Sequence, residues 1–122
     1  MPAQVNLALF KPVSVSSAQD ASHSGEQAVD GDSATFWQTL KAQPGVSPTA
    51  EWIVVDLGAS YQFDRIDLEW DRYYASSYSL QVSDDGAVWT IVANQDGGDG
   101  GLDTYTFSPA NTRFVRLYTT RW

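Results

Sequence analysis

The chain has 122 residues, 43% of them hydrophobic and 13% aromatic, and a formal charge of −8 at pH 7. That length and apolar content support one domain with a real core and exclude a disordered chain. The acid excess, with five scattered arginines and two lysines, argues against nucleic-acid binding and against anionic membranes, and the absence of cysteine excludes disulfides and thiol chemistry.

Residues 1–5 (MPAQV) are an artificial start or a linker, and residues 6–122 form a single module. No stretch nears the roughly eighteen apolar residues of a membrane span, and none reads as a signal peptide. Helical periodicity is nearly absent. "PVSVSS" (12–17) is a short strand, and "EWIVVDLG" (51–58) is an apolar run closed by glycine, as expected of a buried strand. "RIDLEW" (65–70) alternates, with Ile66, Leu68 and Trp70 on one face and Asp67 and Glu69 on the other. "SYSLQVS" (77–83) repeats the pattern with Tyr78, Leu80 and Val82. "DDGAVWTIVA" opens on Asp85-Gly86, a strong hairpin signal, and continues into a strand carrying Trp89 and Ile91. "TYTF" (104–107) and "RFVRLYTT" (113–120) complete about seven strands, the last with Val115 and Leu117 inward and Arg113 outward. The fold class is therefore all-β, an antiparallel β-sandwich. Trp52, Trp70 and Trp89 sit in apolar alternation and are assigned to the core. The two long loops, 38–50 and the glycine-rich "NQDGGDGGLD" (94–103), lie where a sandwich places recognition surfaces, the second as a flexible hairpin loop.

Catalytic chemistry is poorly supplied. A nucleophile needs a neighbouring base, but the only histidine is His23 and no G-x-S-x-G elbow occurs. Histidine–cysteine metal centres lack ligands, and most carboxylates fall in turns, where aspartate bonds its own backbone. The segment "QAVDGDSATFWQT" (27–39) is different. An EF-hand starting at Asp30 would need glutamate at its twelfth position, which is Lys41. Asp30, Asp32 and Thr35 around Gly31 remain either hard oxygen ligands for a looser calcium site or the caps of an Asp-Gly turn. Tyr73 and Tyr74, beside Asp71 and Arg72, combine ring faces with hydrogen-bonding groups. That combination suits a sugar, whose C–H face stacks while its hydroxyls bond to charged forks; the bland alternative is one inward and one surface tyrosine.

The segments "NLALFKPVSVSS", "AVDGDSATFW", "WIVVDLG", "FDRIDLEWDRYYASSYSLQVSDDGAVWT" and "TRFVRLYTTRW", in this order, resemble the coagulation factor 5/8 type C (discoidin) family. Within it they are most similar to the bacterial family 32 carbohydrate-binding modules. The resemblance implies an eight-stranded jelly-roll sandwich of the galactose-binding-domain type. It also implies a non-catalytic role, binding short glycans through loops at one end on behalf of a parent secreted enzyme. The implied glycan site comprises His23, Phe36, Gln38, Lys41, Asp71, Arg72, Tyr73, Tyr74, Arg121 and Trp122. The implied structural calcium would be held by Asp30 and Thr35 with carbonyls around Ala28 and Asp32.

Three departures from the family pattern stand out. Phe36 replaces an arginine that often faces the ligand. Lys41 stands where some chitosan-binding relatives carry an acid, which disfavours a cationic glycan and favours a neutral or acidic one. Relatives also continue past "TTRW" into a final strand that often supplies a glutamate to calcium, so one sheet edge is expected open, either because the chain is cut short or because another copy completes it by strand swapping or edge pairing. An adhesion or lipid-binding discoidin domain, with Phe36 and Leu40 as apolar spikes, is the alternative function.

Overall fold

The computed structural model describes residues 7–16, 18, 23–31, 34–38, 50–70, 74–98 and 100–121, the side chains of Ala110 and Arg121 excepted. Among these the chain is all-β and antiparallel: β1 (Val13–Val15), a 3₁₀ turn (Gly25–Ala28), β2 (Glu51–Glu69), β3 (Ser77–Ser83), β4 (Thr90–Asp96) and β5 (Leu102–Arg121). The strands join in one hydrogen-bonded sheet of order β1-β2-β5-β3-β4.

Five strands replace the seven expected because "EWIVVDLG" and "RIDLEW" are two halves of β2, and "TYTF" and "RFVRLYTT" two halves of β5. The halves pair consistently, Glu51 to Asp56 with Phe114 to Thr119 and Arg65 to Glu69 with Leu102 to Thr106. Between them the register shifts after Asp56 and again after Phe63. Gly58, at φ +86°, takes a conformation open to glycine at the first break. Asp56 fastens this bend, its carboxylate accepting from Gly58 N (2.9 Å), Arg113 Nε (2.8 Å) and Arg113 Nη2 (3.0 Å).

Bent there, the far half of the β2–β5 ribbon folds over the rest of the sheet and makes the second layer. Ile66, Leu68, Trp70 and Tyr105 from the ribbon pack on a buried cluster of Ile53, Ala75, Tyr78, Leu80 and Leu117. The predicted inward sets of β2, β3 and β5 supply these contacts. Val13, Val15 and Trp37 pack on the same cluster. Gly25 presses the 3₁₀ turn against β1 so closely that a Cβ there would lie 2.8 Å from both Val13 and Val15.

Two tryptophans depart from the expected core. Trp70 packs on the cluster, but Trp52 and Trp89 lie outside it, both partly exposed. Trp52 precedes inward-facing Ile53 and pairs with Tyr118, so alternation puts it on the outer face. Trp89 precedes β4, with the Arg116 guanidinium 4.2 Å from its ring centre, while Ile91 is 55% exposed. Apolar character alone did not distinguish the two faces, because the outer face is aromatic as well.

Candidate functional site

Strand directions bring several connections to one end. β1 ends and β2 begins there, since Val15 pairs with Ile53 and Trp52 N donates to Ser16 Oγ (2.9 Å). β3 begins, β4 ends and β5 ends beside them, through Ser77 with Asp96 and Ser77 with Arg121. The fold of the ribbon returns the end of β2 and the start of β5 to the same place, because Tyr78 of β3 bonds Asp103 of β5. Among the described residues, Tyr74 precedes β3 and Arg121 closes β5 at this end.

Of the expected glycan contacts, the structure unites His23, Phe36 and Gln38. The rings of His23 and Phe36 are 4.7 Å apart and tilted by 52°, and Gln38 N donates to the His23 carbonyl at 3.2 Å. Gln38 is only 7% exposed, which leaves little of its amide for a ligand. Phe36 is half-buried against His23, a position that does not suit an apolar spike. Tyr74 is 36% exposed and stands at the rim of the same end. Lys41, Leu40, Asp71, Arg72, Tyr73, Trp122 and the Arg121 side chain lie outside the described residues.

The glycine-rich run has a role that its composition did not reveal. Gly100 underlies Tyr74: a Cβ there would sit 2.9 Å from Tyr74 Cδ1, and φ is +80°. Gly98 N donates to Ser76 O and the Gly101 carbonyl accepts from Trp70 N, both at 2.8 Å. The run read as a flexible loop is thus a seat bonded to both sides of residues 71–75. Backbone approach this close requires glycine.

Behind the seat lies a polar cluster that sequence reasoning missed. The Asp103 carboxylate accepts from Trp70 Nε1 (3.0 Å) and Tyr78 Oη (2.8 Å), and Tyr78 Oη meets Tyr105 Oη at 2.6 Å. The Tyr78 ring lies 5.3 Å from Trp70 and 6.2 Å edge-on from Tyr105. Burial, then the bonds to Tyr105 and Asp103, push the Tyr78 phenol well above the ordinary tyrosine range. Alternation puts Trp70 and Tyr78 on inward faces; that their polar tips share one acceptor, 33 and 25 residues downstream, has no local signal.

The Asp-Gly turn lies away from this end. Thr35 Oγ1 donates to Asp30 Oδ2 at 2.5 Å. Gly31, at φ +75°, packs so near Leu9 that a Cβ would lie 2.9 Å from its Cδ1, and the Val29 carbonyl accepts from Phe10 N at 2.7 Å. Leu9 and Phe10 precede β1, opposite its Ser16 end. Among the described residues no three His, Cys, Asp or Glu side chains gather as a metal centre, and Asp32 lies outside them. The Asp30 carboxylate and Thr35 hydroxyl are nevertheless convergent hard donors of the kind calcium takes.

Residues 12–122 match the F5/8 type C domain. Chitosan-binding module 1 of a chitosanase/glucanase from Paenibacillus sp. IK-5 superposes with a TM-score of 0.87 at 39% identity, over 96% of this chain and 87% of that one. Module 2 of the same enzyme, in complex with chitotriose, gives 0.84 at 42% identity, over 95% and 88%. The polysaccharide lyase 8 family protein HylA of Enterococcus faecalis is 32% identical over 97 residues; the alignment takes in 75% of this chain but 6% of that protein. A family 32 module of Clostridium perfringens NanJ, in complex with galactose, shares the fold, with a TM-score of 0.76 at 19% identity. The chain belongs to the F5/8 type C domain family, on the side of its bacterial carbohydrate-binding modules.

Proposed function

We propose that the end of the sandwich bearing Tyr74, His23 and Phe36 is a glycan-binding site, and that its ligand is a glucosamine-containing glycan. The chain is a non-catalytic carbohydrate-binding module. The observation that carries the site is the seating of Tyr74 on Gly100, backed by the Asp103 cluster: an exposed ring held rigid costs little entropy when a pyranose stacks on it. The observation that favours glucosamine is kinship of 39–42% identity with two chitosan-binding modules. A charge of −8 suits a cationic sugar, in opposition to the local argument from Lys41.

The module serves a larger extracellular enzyme acting on the same polymer, holding it at the substrate. Shallow sites of this sort bind weakly, at about 0.1–1 mM, or about −4 to −5.5 kcal/mol. Calcium is held at the turn opposite this end by Asp30 and Thr35, with carbonyls of Ala28 and Asp32, and clamps the loop without taking part in recognition.

Isothermal titration with chitosan oligomers, and with galactose and neutral oligosaccharides as competitors for the assignment, tests the reading. Saturable binding of glucosamine oligomers, weakened about tenfold in Tyr74→Ala, is the expected result. Binding only to neutral sugars would move the ligand class to the one Lys41 favours. Binding of phosphatidylserine vesicles with no glycan binding would establish the adhesion reading instead. For calcium, a melting temperature lowered by EDTA in the wild type and unmoved in Asp30→Ala is expected.

A further inference from the structure

The outer face of the sheet carries a feature separate from the loops. Residues paired directly across antiparallel strands point to the same side. Trp52 of β2 pairs with Tyr118 of β5, Tyr118 with Ser79 of β3, and Ser79 with Asn94 of β4. At strand spacings near 4.8 Å, this row runs about 14 Å across the strands, long enough for a short oligosaccharide. Its β2–β5 half is aromatic and its β3–β4 half is polar.

The polar half opens as a groove of about 490 Å³ whose lining includes Ser77, Ser79, Asn94, Asp96 and Thr120. Among the described side chains of that lining Asp96 alone is charged; its Oδ1 accepts from Ser77 Oγ at 2.7 Å. The aromatic half is braced rather than loose. The Arg116 guanidinium lies 5.3 Å from the Tyr118 ring centre and 4.2 Å from that of Trp89, and Arg116 Nε donates to Gln81 Oε1 at 2.7 Å. This contact braces the Tyr118 ring. The groove adjoins the loop end, since Ser77 follows Ser76, whose carbonyl accepts from Gly98 N.

Half-exposed rings beside hydroxyl, amide and carboxylate groups match a sugar, and the Asp96 carboxylate suits one that carries ammonium groups. We propose that the row Trp52–Tyr118–Ser79–Asn94, with Asp96, is a second subsite, which receives the continuation of a glucosamine-containing chain bound at the loop end. Tyr118 and Trp52 stack on ring faces, Ser79 and Asn94 bond hydroxyls, and Asp96 pairs with an ammonium group. This inference rests on the glycan-binding reading above and extends it from an end-on contact to a path along the polymer.

The test is calorimetric titration of the full chain with glucosamine dimer and hexamer, comparing wild type with Tyr74→Ala, Tyr118→Ala and Asn94→Lys. Asn94 is exposed on edge strand β4, where lysine is well tolerated, so this variant keeps the test alive if Tyr118→Ala misfolds. The wild type should bind hexamer about tenfold more tightly than dimer. Tyr118→Ala and Asn94→Lys should remove that gain and leave dimer affinity unchanged, whereas Tyr74→Ala should weaken both ligands. Equal hexamer affinity in wild type and Asn94→Lys would overturn the second subsite while leaving the loop site standing. Absence of any glycan binding by the wild type would remove both readings together.

Discussion

The two ends of this sandwich are held by different means. At the loop end a half-buried carboxylate, Asp103, serves an indole and a phenol at once, and a glycine seat carries an exposed ring above them. At the opposite end the β3–β4 turn caps itself: Asp85 Oδ1 accepts from Ala87 N (2.9 Å) and Val88 N (3.0 Å), and Gly86 takes φ +76°. Nearby, the exposed Asp56–Arg113 pair fastens the ribbon bend. Buried polar groups are expensive to leave unpaired, whereas exposed ion pairs contribute little. The contrast teaches where rigidity has been concentrated: behind the surface that must stay in place for a ligand.

That contrast can be broken at its strong side first. Asp103→Ala strands the Trp70 and Tyr78 donors in the interior, at about 1–3 kcal/mol each. Denaturant titration should show a loss of several kcal/mol, and Asp103→Asn, which retains an acceptor, should recover part of it. Leu80→Ala, at 1% exposure in the shared core, sets the comparison scale, with a loss of about 2–5 kcal/mol and no specific effect on the loops. Gly100→Ala combines a disfavoured φ with the clash against Tyr74 and should cost about 1–3 kcal/mol. Its sharper signature is a fall in glycan affinity measured on the fraction that remains folded.

Titration separates the ends as well. Tyr78 has a folded pKa raised above its unfolded value, so its contribution is complete below about pH 10 and declines as pH rises beyond it. Thermal melts should therefore fall on the alkaline side, and Tyr78→Phe should lose that dependence. Asp85 is lowered by the Val88 and Ala87 N–H groups, and Asp56 by its bond to Arg113. Both contribute above the usual carboxylate pKa near 4 and lose that contribution as pH falls below it. Because this pair lies in solvent, the smallest effect of the series is expected from Arg113→Ala, a lowering of the melting temperature that shrinks further as salt is added.

Much of the fold was legible because period-2 alternation names the inward face of a strand without reference to its neighbours. Ile66, Leu68 and Trp70, and then Tyr78, Leu80 and Val82, could be assigned in that way. The alternation could not say that residues 51–69 form one strand bent over a layer boundary, since a bend at Gly58 looks like the end of a strand. Trp52 and Trp89 defeated the same logic, because stacking on a flat outer face also favours tryptophan. In the site, Tyr74 and His23 were legible as side chains suited to a sugar. The Asp103 bonds and the Gly100 seat were not, because each depends on a contact between segments separated by a strand or more.

The continuous ribbon has a consequence for how the molecule assembles. The β3–β4 and β2–β5 pairings are nested arcs, crossed by the β3–β5 and β1–β2 pairings: the β3–β4 hairpin lies innermost, Glu69 with Leu102 encloses it, and Glu51 with Thr119 is the outermost arc of the ribbon. Closing an inner arc shortens the effective loop that the next must close, so each later pairing adds little entropy cost. The chain can therefore zip outward from Glu69–Leu102, although its native contacts are mostly distant in sequence and set a slow overall rate. That starting point adjoins Trp70 and Asp103, so the first arc to close would also assemble the support beneath the glycan site.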